Sequence, residues 1–243
     1  ETWEFLENQL SEPICVNNFN PKIISEWITK RQRKYPIFNN AYMMTGTHHL
    51  YNYLPTKHEK WLTMIKQEII DSGLIIDILN AKTMEAVFRL LQSCSFLGSF
   101  LAYQYTIDMN YSPYINFSEN DFVKAGIGAI RGIKKCFLCY GNKCEDAIWY
   151  VKEHFNDLLK RYGYTSFHPL PGHEPTLIDL QNCFCETDKY LRAKMPELRI
   201  GNVRIKQKYM PHTDPIQFFF PPKWNIVEMY KYKPIVVPTL FDL

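Results

Sequence analysis

The sequence predicts a mainly α fold with little β structure. Apolar residues recur at helical spacing along most of the chain, strand-type alternation is confined to one short stretch, and a hydrophobic fraction of 46% over 243 residues is enough to fill a core. Pro21 suits a first helical turn, and Ile23, Ile24, Trp27 and Ile28 follow it on one side. A second helix starts at Lys60, turns Trp61, Leu62, Ile65, Ile69 and Ile70 inward, and stops at Gly73. Asn80 can cap a third, with Met84, Val87, Phe88 and Leu91 toward the core. A fourth runs from Phe100 to Met109 behind Ser99, whose hydroxyl can cap it. Ile148, Val151, Phe155, Leu158 and Leu159 mark a long helix ending at Gly163, and another is expected from Pro175 to Arg192. The strand-like stretch is "RIGNVRIKQKYM", which can form a hairpin around Gly201 and Asn202. "SFHPLPGHEP" reads as a loop, and the Pro-rich, aromatic "PIQFFFPPKWNI" as part of an extended wrap over residues 211–243. No repeat or low-complexity linker divides the chain, so residues 1–243 are expected to form a single helical domain, with one lobe or two left open.

The net charge of +3 is mild, but cations cluster in "KRQRK", "KAGIGAIRGIKK" and "RIGNVRIKQK", and a local basic surface suits a polyanion. Solvated helix ends account for such runs equally well. A core of this size needs no disulfide staples, so the seven cysteines are read as reduced and the protein as intracellular, nuclear in a eukaryote. "CFLCYGNKC" gathers Cys136, Cys139 and Cys144, and "CFC" adds Cys183 and Cys185, but the spacing is not that of paired Cys-x2-Cys ligands, so no metal is expected. No apolar run approaches the roughly 20 residues of a membrane span, which argues against a membrane partner. The chain opens at Glu1 rather than Met, which points to a piece of a longer parent with further domains. It has neither a Gly-x4-Gly-Lys-Ser/Thr loop nor a Gly-x-Ser-x-Gly elbow, so it is not expected to be a kinase by itself, and no cofactor is implied.

Two glycine loops stand before helices. In "SFLGSFLAYQYTIDMN", Gly98 and Ser99 look like half of a helix-hairpin-helix, in which a glycine hairpin aims free N–H groups at a DNA phosphate. Ala102 is the small residue that lets the two helices close up, but Phe96 stands where the motif has its first glycine. In "KAGIGAIRGIKK", Gly126 and Gly128 have the motif's spacing, Gly132 is the small residue, and Lys124, Arg131, Lys134 and Lys135 supply charge. A phosphate grip and a turn shaped by packing both fit this pattern.

The blocks "PIFNNAYM", "LGSFLAYQYTIDMNYS", "FSENDFVKAGIGAIRGIKKCF", "LIDLQNCFCETDKYLR", "RIKQKYMP" and "FPPKW" occur in one order over roughly residues 20 to 226. Together they resemble the helical DNA-base hypermodification family. It includes the α-glutamyl or putrescinyl thymine pyrophosphorylases and the helical domain of 5-hydroxymethyluracil DNA kinases, and is distantly similar to helix-hairpin-helix DNA glycosylases. The resemblance implies a glycosylase-like helical domain that binds DNA and handles a modified thymine. It implies displacement at the 5-methylene carbon or glycosylase-like attack on the sugar, after the base has left the stack. A non-catalytic recruitment module on the same fold, or a structural interaction domain, is the alternative.

That resemblance directs attention to particular side chains. Asp121 is the first candidate for the catalytic carboxylate, because in the glycosylases an Asp follows the hairpin helix by one loop. Glu119 stands two residues before it and would face the same way in extended chain, and Asp179 is the third catalytic candidate. Gln104 and Asp108, one helical turn apart, suit reading a base edge. Asn182 and Lys189 continue the polar stripe of Asp179, and Asn39, Asn40 and Tyr42 offer amides and a stacking ring. Helix capping, turn formation and solvated helix faces are the plainer accounts of the same residues.

Overall fold

The structure, a computed structural model, describes residues 2–38, 44–170, 172–198 and 220–226. Helices dominate, and no strand occurs among the described residues; one isolated bridge joins Leu170 and His173 inside the expected loop. Helix α1 (Thr2–Leu10) precedes α2 (Pro21–Gln32), where Pro21 opens the first turn and the Asn20 side chain accepts from Lys22 and Ile23 N–H. Helix α3 (Lys57–Met64) is capped by Thr56 and continues as a π-helical segment, Ile65–Asp71, until Gly73 turns left-handed at φ 82°. Helices α4 (Leu74–Asn80) and α5 (Met84–Gln92) follow. The cap of α5 is Thr83, whose hydroxyl accepts from Ala86 N–H; Asn80, expected to cap it, is the last residue of α4.

Helix α6 (Ser99–Asn110) also starts differently from expectation: Gly98 is its N-cap and Ser99 its first helical residue, with no side-chain cap. Helix α7 (Ile127–Cys136) begins at Gly126. The long helix expected over 148–163 breaks at His154, whose φ of −106° and ψ of 17° leave the helical region, into α8 (Cys144–Glu153) and α9 (Phe155–Arg161). Helix α10 (Leu177–Lys194) matches the expected span. The expected hairpin at 199–210 lies outside the described residues, as does most of the 211–243 wrap; its described part carries a 3₁₀ turn at Pro222–Trp224.

One continuous apolar cluster joins these elements, with Met64, Val87, Phe88, Tyr103, Ala129, Ile133, Ile148 and Leu177 at its centre. Each large apolar side chain buried there contributes roughly 1.5–3 kcal/mol. Helices α7 and α10 approach closely because α7 has no side chain at two contact points. A Cβ on Gly128 would lie 2.4 Å from Cys185 Sγ, and one on Gly132 would lie 2.0 Å from the Phe184 carbonyl oxygen.

The π-helical segment carries one tied carboxylate. Glu68 accepts the Tyr51 hydroxyl and the Ser95 N–H, each at 2.6 Å, and so ties the α5–α6 connection to the segment. Burial would raise the Glu68 pKa, but these donors hold it below the usual range. Next to Ser95, Phe96 has φ 67°, the left-handed conformation a glycine would adopt cheaply. Its ring is held by Trp61, stacked at 5.2 Å, and by Tyr51 at 5.4 Å. An aromatic residue thus takes, just ahead of Gly98, a backbone conformation that glycine adopts more readily.

Candidate functional site

The segment 117–126 between α6 and α7 carries two of the expected carboxylates, and they diverge. Residues 118–121 form a turn, closed by Asp121 N–H to the Ser118 carbonyl at 3.1 Å, so Glu119 and Asp121 do not face one way as extended chain would require. Asp121 is exposed and its Oδ2 accepts the Ser118 N–H at 3.1 Å. Glu119 is 9% exposed. Its Oε2 accepts the Trp224 indole N–H at 3.0 Å, and its Oε1 is buried without a hydrogen bond.

Aromatic groups wall this carboxylate. Trp224 stacks on His173 with centroids 3.7 Å apart and meets the Tyr111 ring edge-on at 5.7 Å. Neighbouring Lys223 donates to the Asn110 carbonyl at 2.7 Å, which seats the 3₁₀ turn on the end of α6. Burial pushes the Tyr111 phenol up, and the Glu119, Asp179 and Asp108 carboxylates push it further in the same direction. Three of the expected acidic residues therefore share the neighbourhood of Tyr111, while Asp121 does not enter it.

Asp179 lies at the edge of this group with a structural duty. Its Oδ2 accepts both the N–H and the hydroxyl of Thr176, at 2.8 and 2.9 Å, in a capping box at the start of α10. The same oxygen is 3.6 Å from His173 Nε2. Asn120 Oδ1 accepts the Leu177 N–H at 3.2 Å, so the turn that aims Glu119 also caps α10. Gln181 Oε1 accepts the Gly126 N–H at 3.2 Å and its amide donates to Asn182, which is exposed on α10.

The residues expected to grip phosphate separate into two groups. The two helix starts meet through one ring, for a Cβ on Gly126 would be 3.1 Å from the Phe100 ring, two residues after the α6 N-cap Gly98. Lys134 is exposed and Arg131 half-buried on α7. Gly128, in contrast, turns its bare Cα to Cys185, so it serves packing rather than a ligand. Lys135 is sealed against Asp188 at 2.7 Å with 3% of its side chain exposed, which removes it from any phosphate. Lys124 pairs with Glu145 at 2.8 Å while remaining 42% exposed.

On α6, Gln104 has a buried Nε2 without a hydrogen bond. Asp108 borders an apolar cavity of about 230 Å³ with Trp61, Leu97, Tyr105 and Met109. It reaches solvent, yet the apolar atoms packed around it raise its pKa. Lys189 pairs with Glu186 on the exposed face of α10 and does not join the Glu119 group. Asn39, Asn40 and Tyr42 lie outside the described residues. Among the described residues, no three His, Cys, Asp or Glu side chains stand together as metal ligands, and no helix is long and apolar enough to cross a membrane. The cysteines are free, and burial raises the thiol pKa of Cys136, Cys144, Cys183 and Cys185.

The sequence reading did not single out Tyr111, His173, Lys223 or Trp224. The signal was present in part, since "FPPKW" is one of the ordered blocks. Nothing in its spacing tells which carboxylate the indole will reach 105 residues away.

The family model of the 5-hmdU DNA kinase helical domain matches residues 1–200. The chain belongs to this family. No curated protein and no solved structure matches it. The family match takes in the Glu119 turn, both glycine loops and all of α10, whereas Lys223 and Trp224 lie beyond its end. The family's name concerns modification of DNA and its helical class agrees with the fold; the likeness to glycosylases and the helix-hairpin-helix character of the loops go beyond what the match carries.

Proposed function

We propose that this domain binds DNA and recognises a 5-hydroxymethyluracil-type base, presenting it for modification rather than carrying the transfer chemistry itself. One observation supports this most: of the three carboxylates read as catalytic, only Glu119 is buried beneath aromatic rings, while Asp121 and Asp179 cap a turn and a helix. A buried acceptor with aromatic walls suits stacking a base and reading its N–H, an interaction of about 1–3 kcal/mol per stacked base. The helix starts at Gly98 and Gly126, exposed Lys134 in the last turn of α7, and exposed Lys30, Arg33 and Lys34 at the end of α2 are separate groups that each suit phosphate contacts. Catalysis by the domain itself keeps one support, the buried Glu119 Oε1, which has no hydrogen bond and suits a general base.

The test is binding to oligonucleotides carrying thymine or 5-hydroxymethyluracil, measured by anisotropy from about 50 to 200 mM salt. The modified DNA should bind roughly tenfold tighter, affinity should fall steeply with salt, and Lys134→Ala should flatten the log-log slope by about one. Salt-independent binding, or no preference for the modified base, would reject this function. Mass spectrometry of the recovered oligonucleotide, with pyrophosphorylated base and amines supplied, separates presentation from catalysis: a changed mass favours the enzyme.

A further inference from the structure

We infer that Trp224 occupies a site built for another planar ring with an N–H donor, and that this ring is a thymine-type base whose N3–H takes the place of the indole N–H on Glu119. The inference rests on the DNA-recognition reading and names the occupant of the same site.

The indole is held by contacts that a base could make. It stacks on His173 at 3.7 Å with planes 21° apart, meets Tyr111 at 86°, and sends its single N–H to Glu119 Oε2. These are a stacking partner, an edge contact and one directional acceptor, the set by which an extruded base is read. Burying a carboxylate is expensive unless its oxygens are satisfied, and Trp224 satisfies only one oxygen of Glu119. A core tryptophan of this chain looks different: Trp61 is 3% exposed and sends its N–H to the Thr45 carbonyl, a neutral acceptor. Trp224, in contrast, stays partly exposed.

The turn Pro222–Trp224 is anchored by Lys223 on the Asn110 carbonyl, and Asn225 behind it has φ 50°, a conformation uncommon outside glycine. A ligand that offers the same stack and the same N–H therefore competes with a short turn rather than with a helix.

The experiment uses the full chain and free nucleosides as probes. Trp224→Ala should bind thymidine and 5-hydroxymethyl-2′-deoxyuridine at least tenfold more tightly than wild type by titration calorimetry, and should not bind N3-methylthymidine, which lacks the ring N–H. Indifference to N3 methylation, or no gain over wild type, overturns the inference. A wild-type measurement stands beside it: the Trp224 indole N–H resonance, assigned by its loss in Trp224→Phe, should shift when DNA carrying 5-hydroxymethyluracil is added. If Trp224→Ala does not fold, this resonance decides, and an unmoved signal on bound DNA rejects the inference. The two readings fail separately. Wild type that binds DNA with an unmoved indole loses only the Trp224 site, whereas a Trp224→Ala protein that binds thymidine while wild type binds no DNA loses only the DNA reading.

Discussion

Lys135 Nζ lies 2.7 Å from Asp188 Oδ1, with only 3% and 1% of the two side chains exposed. Arg192 Nε adds a second cation 3.1 Å from the other Asp188 oxygen, so the junction of α7 and α10 contains a buried ionic group rather than an apolar seam. Ions taken out of water are held by their partners, and removal of one partner leaves an uncompensated charge.

Lys134→Ala and Lys135→Ala should accordingly behave as opposites. Lys135→Ala is expected to destabilise the fold by about 3–5 kcal/mol in urea unfolding. Lys134→Ala should leave stability within about 0.5 kcal/mol. A stable Lys135→Ala protein with weakened DNA binding would return Lys135 to the phosphate surface and contradict the buried pair.

Gly132→Ala tests the close approach of the same two helices. Alanine in a helix interior normally gains about 1 kcal/mol over glycine. Here the new Cβ would stand 2.0 Å from the Phe184 carbonyl oxygen and 2.8 Å from its carbon, so α7 and α10 must separate. The expected outcome is a loss of about 1–3 kcal/mol or more, seen as a lower urea midpoint. Gly98→Ala meets no atom within 4 Å and should change stability by about 1 kcal/mol or less.

These contrasts show what the sequence made legible. The helices were readable because apolar spacing is local: Pro21, the stop at Gly73 and the span of α10 follow from neighbours in the chain, whereas the caps expected at Asn80 and Ser99 fall to Thr83 and Gly98. The break at His154 was not, since 144–161 keeps helical periodicity on both sides of it. In the candidate site the sequence pointed to Glu119 and its neighbours but not to Tyr111, His173 or Trp224, and it carried no information on direction. Lys134 and Lys135 are adjacent, and a helix turns about 100° per residue, so only packing against Asp188 decides which one leaves the surface. Extended chain would set Glu119 and Asp121 parallel, and the turn at 118–121 separates them. The partners of Glu119 come from α6, from the 166–175 loop and from the Trp224 turn, a convergence that no local pattern encodes.

Phe96 offers a test of the backbone in the α5–α6 connection. Left-handed φ costs a residue with a Cβ roughly 1–2 kcal/mol, and the ring's contacts with Trp61, Tyr51 and His48 offset it. Removing the ring should destabilise by about 3–5 kcal/mol in Phe96→Ala. Phe96→Gly loses the same ring but also sheds the strain, so it should be the more stable of the two by about 1 kcal/mol. Ordinary positions show the opposite order, and finding that order here would refute the left-handed turn.

The last prediction concerns acid stability and rests on Glu145. Burial would raise its pKa, but the Lys124 ammonium at 2.8 Å and the Ala125 N–H at 3.1 Å hold it below the usual carboxylate range. In the unfolded chain both donors are gone and the pKa returns to about 4.3. As pH falls, the unfolded chain therefore takes up its proton first and is favoured. The contribution of Glu145 is complete above about pH 5, declines through the ordinary Glu range, and is exhausted once pH passes below the folded-state value. Glu68 acts in the same direction through Tyr51 and Ser95, while Asp108, whose pKa is raised, acts in the opposite one. Glu145→Gln should lower stability at pH 7 and flatten the acid limb of a stability profile measured between pH 7 and 3. Because the carboxylate accepts the Ala125 N–H just ahead of Gly126, the variant should also loosen the start of α7, seen as faster amide hydrogen exchange there at neutral pH. An unchanged acid limb would show that Glu145 is not held ionised by Lys124, and the tether between α8 and the glycine loop would then have to be sought elsewhere.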